Sequence, residues 1–321
     1  MYNKMITNLF LFILALPVVA AEATDGEFIT LGTAGGPNAE VTRAQPANAL
    51  VIGNDVYLVD AGDGAGGQLA KAGFLVEGVK GLFISHLHFD HTGGVLALLG
   101  LRLQLNAPQT LDIYGPPGTG KFIAGLLEGM APAMDAAYGL PGQTWPSKLN
   151  VIELVDGSTI ELAGASVRVA ENTHYIIEGA DQSDLPEEEG YVSLSYRFDL
   201  ANRSIVYTGD TGPSRAVTEL AANADVLVSE MMDVPLVLES IKRTRPNMPA
   251  QMLAGIVAHL NPHHLTPQQV GEMAAAANVK ELVITHFVPS VSSQADARKY
   301  RNLIREHFDG EIIFANDLDR F

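Results

Sequence analysis

Residues 85–94 read SHLHFDHTGG, and this stretch decides the fold. Within six residues it supplies four side chains that can bind a metal ion: His86, His88, Asp90 and His91. The apolar run 81–84 before it predicts a buried strand, and the run 95–99 after it predicts a helix. If the chain stays extended, side chains alternate between the two faces. His86, His88 and Asp90 would then point one way, while Leu87 and Phe89 would point into the core. Imidazole and carboxylate together favour zinc, with manganese and iron as alternatives.

Three further polar residues follow strand-like segments far along the chain. They are His174, Asp210 and His286. Each comes directly after an apolar segment with β-branched residues, so each is expected at a strand end. Four strand ends that all supply imidazole or carboxylate groups fit one shared site better than isolated polar loop residues.

With these residues in view, the chain resembles the metallo-β-lactamase superfamily, whose motif is His-x-His-x-Asp-His followed by a distant His, Asp and His. Within it, the chain most resembles the branch of the transfer-RNA 3′-processing endonucleases (tRNase Z) and the metal-dependent arylsulfatases. The resemblance runs from about Phe28 to Phe321. It implies an α/β protein with an αββα sandwich and a dinuclear metal site at the edge of the two sheets. It also implies the ligand sets: His86, His88 and His174 for one metal, Asp90, His91 and His286 for the other, and Asp210 as the bridge.

The resemblance and the ligand chemistry together imply a mechanism. Two divalent ions, expected to be Zn²⁺, would share a hydroxide that attacks an ester, and Asp90 would orient this nucleophile. Thr266 and Pro267 predict a helix start, because Thr is a good N-cap and Pro fits the first helical position. His264 lies just before that start, and the resemblance makes it the candidate for assisting the leaving group.

The remaining pattern predicts an exported single-domain protein. Residues 1–21 are typical of a secretory signal peptide, with Lys4 as the only charge among the first twenty residues and an apolar core. Residues 22–321 are expected to form one hydrolase domain, because the ligands must fold together. Apolar strands alternate with helical segments, which also indicates an α/β chain. The predicted helices are residues 214–222, 267–277 and 295–308. A periplasmic or secreted location follows, with no membrane contact once the signal is removed.

Charge guides the choice of substrate. The formal net charge is −17, from 20 basic and 37 acidic residues. Nucleic-acid binding depends on Lys and Arg neutralising phosphates, so this acidic chain predicts a small anionic ester as substrate and no nucleic acid. The short interval between His174 and Asp210 contains the acidic run 181–189. It leaves no room for the long basic arm of the transfer-RNA enzymes.

These observations favour an exported hydrolase of small sulfate esters, similar to the arylsulfatases. The alternatives are a phosphodiesterase of the same branch acting on small diesters, or a β-lactamase or lactonase. A non-catalytic binding protein is least favoured, because all seven ligands are present. Residues 115–121, GPPGTGK, resemble a phosphate-binding loop. However, Phe122 stands where that loop needs Ser or Thr to hold magnesium, so nucleotide hydrolysis is not predicted.

Overall fold

The computed structural model describes residues 26–136, 148–175, 190–291 and 293–321. One sheet contains β1 (Gly26–Gly32), β2 (Ala47–Ile52), β3 (Asp55–Ala61), β4 (Val79–Phe83), β5 (Leu111–Gly115), β6 (Leu149–Glu153) and β14 (Asp319–Arg320). The other contains β7 (Thr159–Leu162), β8 (Ala165–Glu171), β9 (Leu194–Leu200), β10 (Ser204–Tyr207), β11 (Val226–Met232), β12 (Glu281–Val288) and β13 (Glu311–Phe314). The helices are α1 (Ala65–Lys71), α2 (Phe89–Thr92), α3 (Val95–Gln104), α4 (Thr119–Asp135), α5 (Arg215–Leu220), α6 (Val234–Thr244), α7 (Ala250–His263), α8 (Pro267–Ala276) and α9 (Gln294–Arg305).

Both sheets are mixed. The strand order is β14-β1-β2-β3-β4-β5-β6 in the first sheet and β13-β12-β11-β10-β9-β8-β7 in the second. In the first sheet β1, β2 and β3 pair antiparallel and β3 to β6 run parallel. In the second, β7 to β10 pair antiparallel and β10 to β13 run parallel. The parallel strands bring their carboxyl ends to one edge of each sheet.

Three buried apolar clusters define four layers. The middle cluster joins the inner faces of the two sheets, with Phe83 stacked on Tyr114 at 4.6 Å and edge-on to Phe198 at 5.5 Å between ring centroids. A second cluster packs α1, α3 and α4 on the outer face of the first sheet, and a third packs α5, α8 and α9 on the second. Since each sheet is covered on both faces, the predicted αββα sandwich is confirmed.

The predicted local elements are also present. Residues 214–222 contain α5, whose N-cap Ser214 accepts a hydrogen bond from Val217 N. Thr266 and Gln269 form a capping box at the start of α8, and Pro267 is the first residue of that helix. One expectation is wrong: the chain does not stay extended after β4. Asp90 lies in the short helix α2, and Phe89 is 85% exposed rather than buried.

Two irregularities in the sheets position polar side chains. Between the pairs Ser229–Ile284 and Met231–Phe287, β12 has two residues where β11 has one. This bulge places His286 in the left-handed region with φ 45°. A similar shift between β2 and β3 places Asp60 at φ 59°. Non-glycine residues rarely adopt this conformation, and bulges re-aim side chains at the cost of local strain.

Candidate metal centre

The fold brings all seven sequence-predicted ligands together at the carboxyl ends of the strands. Four come from the segment after β4, and the others follow β8 and β10 or lie within β12. They form two compact sets, each with its ligand atoms within 4.8 Å of one another. The first ligand group is His86, His88 and His174, and the second ligand group is Asp90, His91, Asp210 and His286.

The first ligand group presents three ring nitrogens at close range. Nδ1 of His88 lies 3.1 Å from Nε2 of His86 and 3.2 Å from Nε2 of His174. Burial lowers the pKa of all three imidazoles, that of His174 to about 3, so the rings are neutral at pH 7. Neutral imidazoles offer lone pairs, and three lone pairs converging at this spacing suit a cation between them.

The second ligand group surrounds one carboxylate oxygen. Oδ1 of Asp210 lies 3.2 Å from Nε2 of His91 and 3.1 Å from Nε2 of His286. Oδ2 of Asp90 lies 3.6 and 3.5 Å from the same two nitrogens and accepts a hydrogen bond from Gly36 N. A side chain at Gly36 would collide with the Asp90 carboxylate, so this close backbone approach requires glycine.

Asp210 faces both groups. While its Oδ1 points to the second group, its Oδ2 lies 3.9 Å from Nε2 of His86 and 4.0 Å from Nε2 of His174. The side chain is almost fully buried, at 3% exposure for the residue. A carboxylate with one oxygen toward each of two ligand sets has the arrangement that a bridging ligand needs.

Unpartnered atoms test whether this donor set fits metal ions. Among the described residues, Nε2 of His91, Oδ1 of Asp210 and both ring nitrogens of His286 are buried without a hydrogen bond. Buried polar groups are normally paired, so such a cluster indicates a missing partner. Burial alone would lower the pKa of His286, but Asp210 raises it to about 9. The group therefore favours positive charge, which a divalent ion supplies, and the residues fit metal ions.

The outward ring nitrogens are held by buried acceptors. Nδ1 of His91 donates to Oδ2 of Asp60 at 2.7 Å, and Nδ1 of His174 donates to the carbonyl oxygen of His263 at 3.0 Å. Nδ1 of His86 lies 3.0 Å from Oγ of Ser85. Fixing one ring nitrogen in this way sets the tautomer and turns the other nitrogen toward the site.

Two buried acids at the site, Asp60 and Glu230, were not predicted from the sequence. Glu230 lies on β11, and its two carboxylate oxygens lie 3.1 and 2.9 Å from Nδ1 of His264. Burial alone would lower the pKa of His264, but the Glu230 carboxylate raises it. The signal was available: each acid lies inside a strand made mainly of apolar residues, where an unpaired charge is costly.

The glycine-rich loop at residues 115–121 is not a free anion site. The backbone N–H groups of Gly118 and Gly120 donate to Oε1 of Glu153 at 3.1 and 2.8 Å. A carboxylate of this chain thus occupies the donors that a phosphate would need. This agrees with the sequence argument from Phe122.

Comparison with known proteins places the chain in a family. The β-lactamase superfamily domain matches residues 56–287. A ribonuclease Z from Mycobacterium avium (strain 104) is 30% identical over 300 residues, which is 92% of this chain and 97% of that protein. The metallo-β-lactamase fold protein YhfI from Bacillus subtilis superposes with a TM-score of 0.64 at 18% identity, over 92% of this chain and 98% of that one. Human tRNase Z, short form, superposes with a TM-score of 0.60 at 22% identity over the same shares.

The chain belongs to the metallo-β-lactamase superfamily. It is a metal-dependent hydrolase of that superfamily, and its His and Asp clusters can bind metal ions.

The predictions about the substrate are wrong. Relatives that match 92% of the chain are named ribonuclease Z, and none of these names points to an arylsulfatase. The two alternative functions, a phosphodiesterase of small diesters and a β-lactamase or lactonase, agree no better with relatives of that name. The predictions of a small anionic ester and of no nucleic acid are also wrong, because the relative that is 30% identical over 92% of the chain is named a ribonuclease. The error came from treating net charge as if it were spread evenly over the surface.

The prediction of an exported enzyme gains no support from these relatives. Residues 1–21, predicted as the signal peptide, and the acidic run 181–189 both lie outside the described residues. The periplasmic or secreted location and the single domain over residues 22–321 stay predictions. Within the described ranges, no helix combines the length and apolar character that crossing a membrane requires.

Proposed function

We propose that this protein is a ribonuclease of the ribonuclease Z type, which hydrolyses a phosphodiester bond in a precursor of transfer RNA. The observation that carries the proposal is the match to a named ribonuclease Z over 97% of that protein's length at 30% identity. The site agrees with it, since phosphodiester hydrolysis requires a nucleophile, charge neutralisation at phosphorus and help for the leaving oxygen.

The seven ligands are proposed to hold two divalent ions, with Zn²⁺ favoured by the imidazole-rich donor set. When bound, the ions would supply a hydroxide nucleophile near neutral pH and neutralise charge on the phosphate. The role of the chain is to fix the ligand tautomers through Asp60 and His263 and to exclude water from the buried side of the ligands. Asp90 is proposed to orient the nucleophile, because its Oδ2 lies at the edge of the second ligand group and the residue is only partly buried.

His264 is proposed to assist the leaving group. Its Nδ1 is held by Glu230, so its Nε2 is available toward the ligands, where its ring lies 4.9 Å from that of His174. The Glu230 carboxylate raises the pKa of His264 against the effect of burial, which favours the protonated form from which His264 can donate a proton. Either oxygen that leaves an RNA phosphodiester becomes a weakly acidic ribose hydroxyl, which departs poorly as an anion and needs that proton.

Incubation of the purified protein with a transcribed transfer-RNA precursor carrying a 3′ trailer tests the proposal. We expect one defined cleavage that a chelator abolishes. His264→Ala should lower kcat by roughly 10²–10⁴-fold, the usual range for a general acid, and by less for bis(4-nitrophenyl) phosphate, whose leaving group needs little protonation. His307→Ala is the matched control, because His307 is an exposed histidine whose ring nitrogen lies 3.7 Å from Glu272. Absence of RNA cleavage by metal-loaded wild-type protein would overturn the proposed function.

A further inference from the structure

The helices α6 and α7 form a hairpin, residues 234–263, whose base lies at the metal centre. Helix α6 begins directly after β11, and α7 ends at His263, next to His264. The ring of His259 lies 5.6 Å from that of His174 and 6.3 Å from that of His88. Only Val234 in α6 and His263 in α7 are buried. The hairpin therefore touches the ligands at one end and extends into solvent at the other.

The charge of this hairpin opposes that of the rest of the chain. Its thirty residues contain Lys242, Arg243 and Arg245 against one acid, Glu239, a balance of +2. Since the whole chain has 20 basic and 37 acidic residues, the remainder has 17 and 36, a balance of −19. An acidic protein thus carries a local basic region on the segment that leads to its active site.

The three basic side chains are grouped at the free end of α6, which we call the hairpin tip. All three are exposed, and none forms an ion pair within the described part of the chain. Several basic side chains elsewhere pair with acids, as Lys80 does with Asp55 at 3.6 Å. Lys242 and Arg243 lie in the last turn of α6, where they also stabilise the negative end of the helix dipole. Arg245 lies just beyond the helix. The dipole interaction does not bury these side chains, so all three remain accessible to a ligand.

We propose that the hairpin tip binds the phosphate backbone of the RNA substrate. This inference rests on the proposed function and adds a place where the substrate is held. The eleven residues of α6 span about 16 Å at 1.5 Å per residue, so the tip contacts RNA several nucleotides from the scissile bond, roughly five at 3.4 Å each. Exposed cations without carboxylate partners can bind phosphates and release their counterions, which accounts for RNA binding by a chain of net charge −17.

The test compares two triple variants with the same change in charge. The tip variant combines Lys242→Gln, Arg243→Gln and Arg245→Gln. The control variant combines Lys80→Gln, Arg168→Gln and Lys280→Gln, one half-buried and two exposed cations that each pair with an aspartate. Binding of a fluorescent transfer-RNA precursor is measured by anisotropy between about 50 and 300 mM KCl, together with kcat and KM for its cleavage. The kcat/KM for bis(4-nitrophenyl) phosphate, which is too small to reach the tip, reports whether the metal centre is intact.

For the tip variant we expect binding weakened roughly 10- to 100-fold near 0.15 M salt and a salt slope shallower by about 2 to 3, with the loss in KM rather than kcat. The control should match wild type in both. If wild type cleaves RNA and the tip variant keeps its KM and salt slope, the inference is refuted while the proposed function stands. If wild type binds RNA through the tip without cleaving it, the inference stands and the proposed function fails. If wild type does not bind RNA, both are refuted.

Discussion

Replacing Asp60 with Asn is expected to weaken both the fold and the second ligand group. Asp60 is fully buried, and its carboxylate accepts four hydrogen bonds. Oδ1 accepts from Ser85 N at 2.7 Å, while Oδ2 accepts from Ser85 Oγ at 2.8 Å and Tyr207 OH at 2.8 Å, and also from His91 Nδ1 at 2.7 Å. This one side chain therefore connects β3, β10 and the ligand segment.

The magnitude follows from where the amide can place its NH₂ group. The least costly orientation keeps the amide oxygen toward the three donors at Oδ2 and turns the NH₂ group against the backbone N–H of Ser85. One buried donor then loses its acceptor, at about 1–3 kcal/mol, and the three remaining bonds weaken by about 1 kcal/mol each because they lose a charged partner. Relief of the buried anion offsets part of this cost. We expect a net loss of about 2–4 kcal/mol in the free energy of unfolding, and an affinity for metal at His91 reduced about 10- to 100-fold.

Urea unfolding of the metal-free proteins and competition with a zinc chelator measure the two effects. Asp55→Asn is the matched control, because Asp55 lies on the same strand but is partly exposed and pairs with Lys80 at 3.6 Å. A partly exposed pair of this kind near the surface contributes about 0–1 kcal/mol. If Asp60→Asn unfolds at the same urea concentration as Asp55→Asn and keeps the affinity of wild type for zinc, the assigned role of Asp60 is refuted.

The sequence was sufficient to predict that the candidate ligands lie together and that the helices begin where they do, for two different physical reasons. The ligands follow strands, and parallel strands place their carboxyl ends at a common edge, so residues as distant as His86 and His286 were expected to meet. The helix starts were marked by local chemistry that does not depend on the fold, as in the Thr266 capping box. The sandwich itself was implied by resemblance rather than worked out from periodicity.

The orientation of the side chains could not be predicted in the same way. His286 lies within β12, not after it, and reaches the site because a bulge opposite Glu230 turns it into a left-handed conformation. A bulge is set by pairing with another strand, so the residues of β12 alone do not reveal it. The extended reading of residues 85–94 failed because Asp90 enters a helical turn, which leaves Phe89 exposed.

Net charge failed as a guide to substrate because a sum over the chain discards position. Screening limits the influence of an exposed charge to about 10 Å at ordinary ionic strength, so distant carboxylates have little effect at the point where RNA would bind. The tip residues Lys242, Arg243 and Arg245 are outnumbered in the sum, yet within the described residues they have no acidic partners. The distribution of charge around the site, rather than its total, is the quantity to compare with a polyanionic substrate.

Two further predictions concern the metal ions. Asp210→Ala removes the carboxylate that faces both ligand groups, so metal analysis of the purified variant should show the loss of at least one ion with an unchanged circular dichroism spectrum; full metal content would contradict the bridging role. The second prediction is that only one group binds metal in a pH-dependent way. Burial alone would lower the pKa of His286, but Asp210 raises it to about 9. Burial alone would lower the pKa of His91 as well, but Asp210 and Asp90 raise it well above its ordinary value. In the first ligand group, burial lowers the pKa of every histidine. An ion entering the second ligand group must therefore displace at least one proton at neutral pH, so its apparent affinity should fall at least about tenfold per pH unit from about pH 8 to about pH 6, while the first ion shows no such trend. In the metal-free protein the proton on His286 stabilises the fold fully below the ordinary histidine pKa of about 6.5, and this contribution is lost as the pH rises through about 9. Chelator competition at several pH values measures both affinities, and two ions with the same pH dependence would refute the assignment of the proton to the second ligand group.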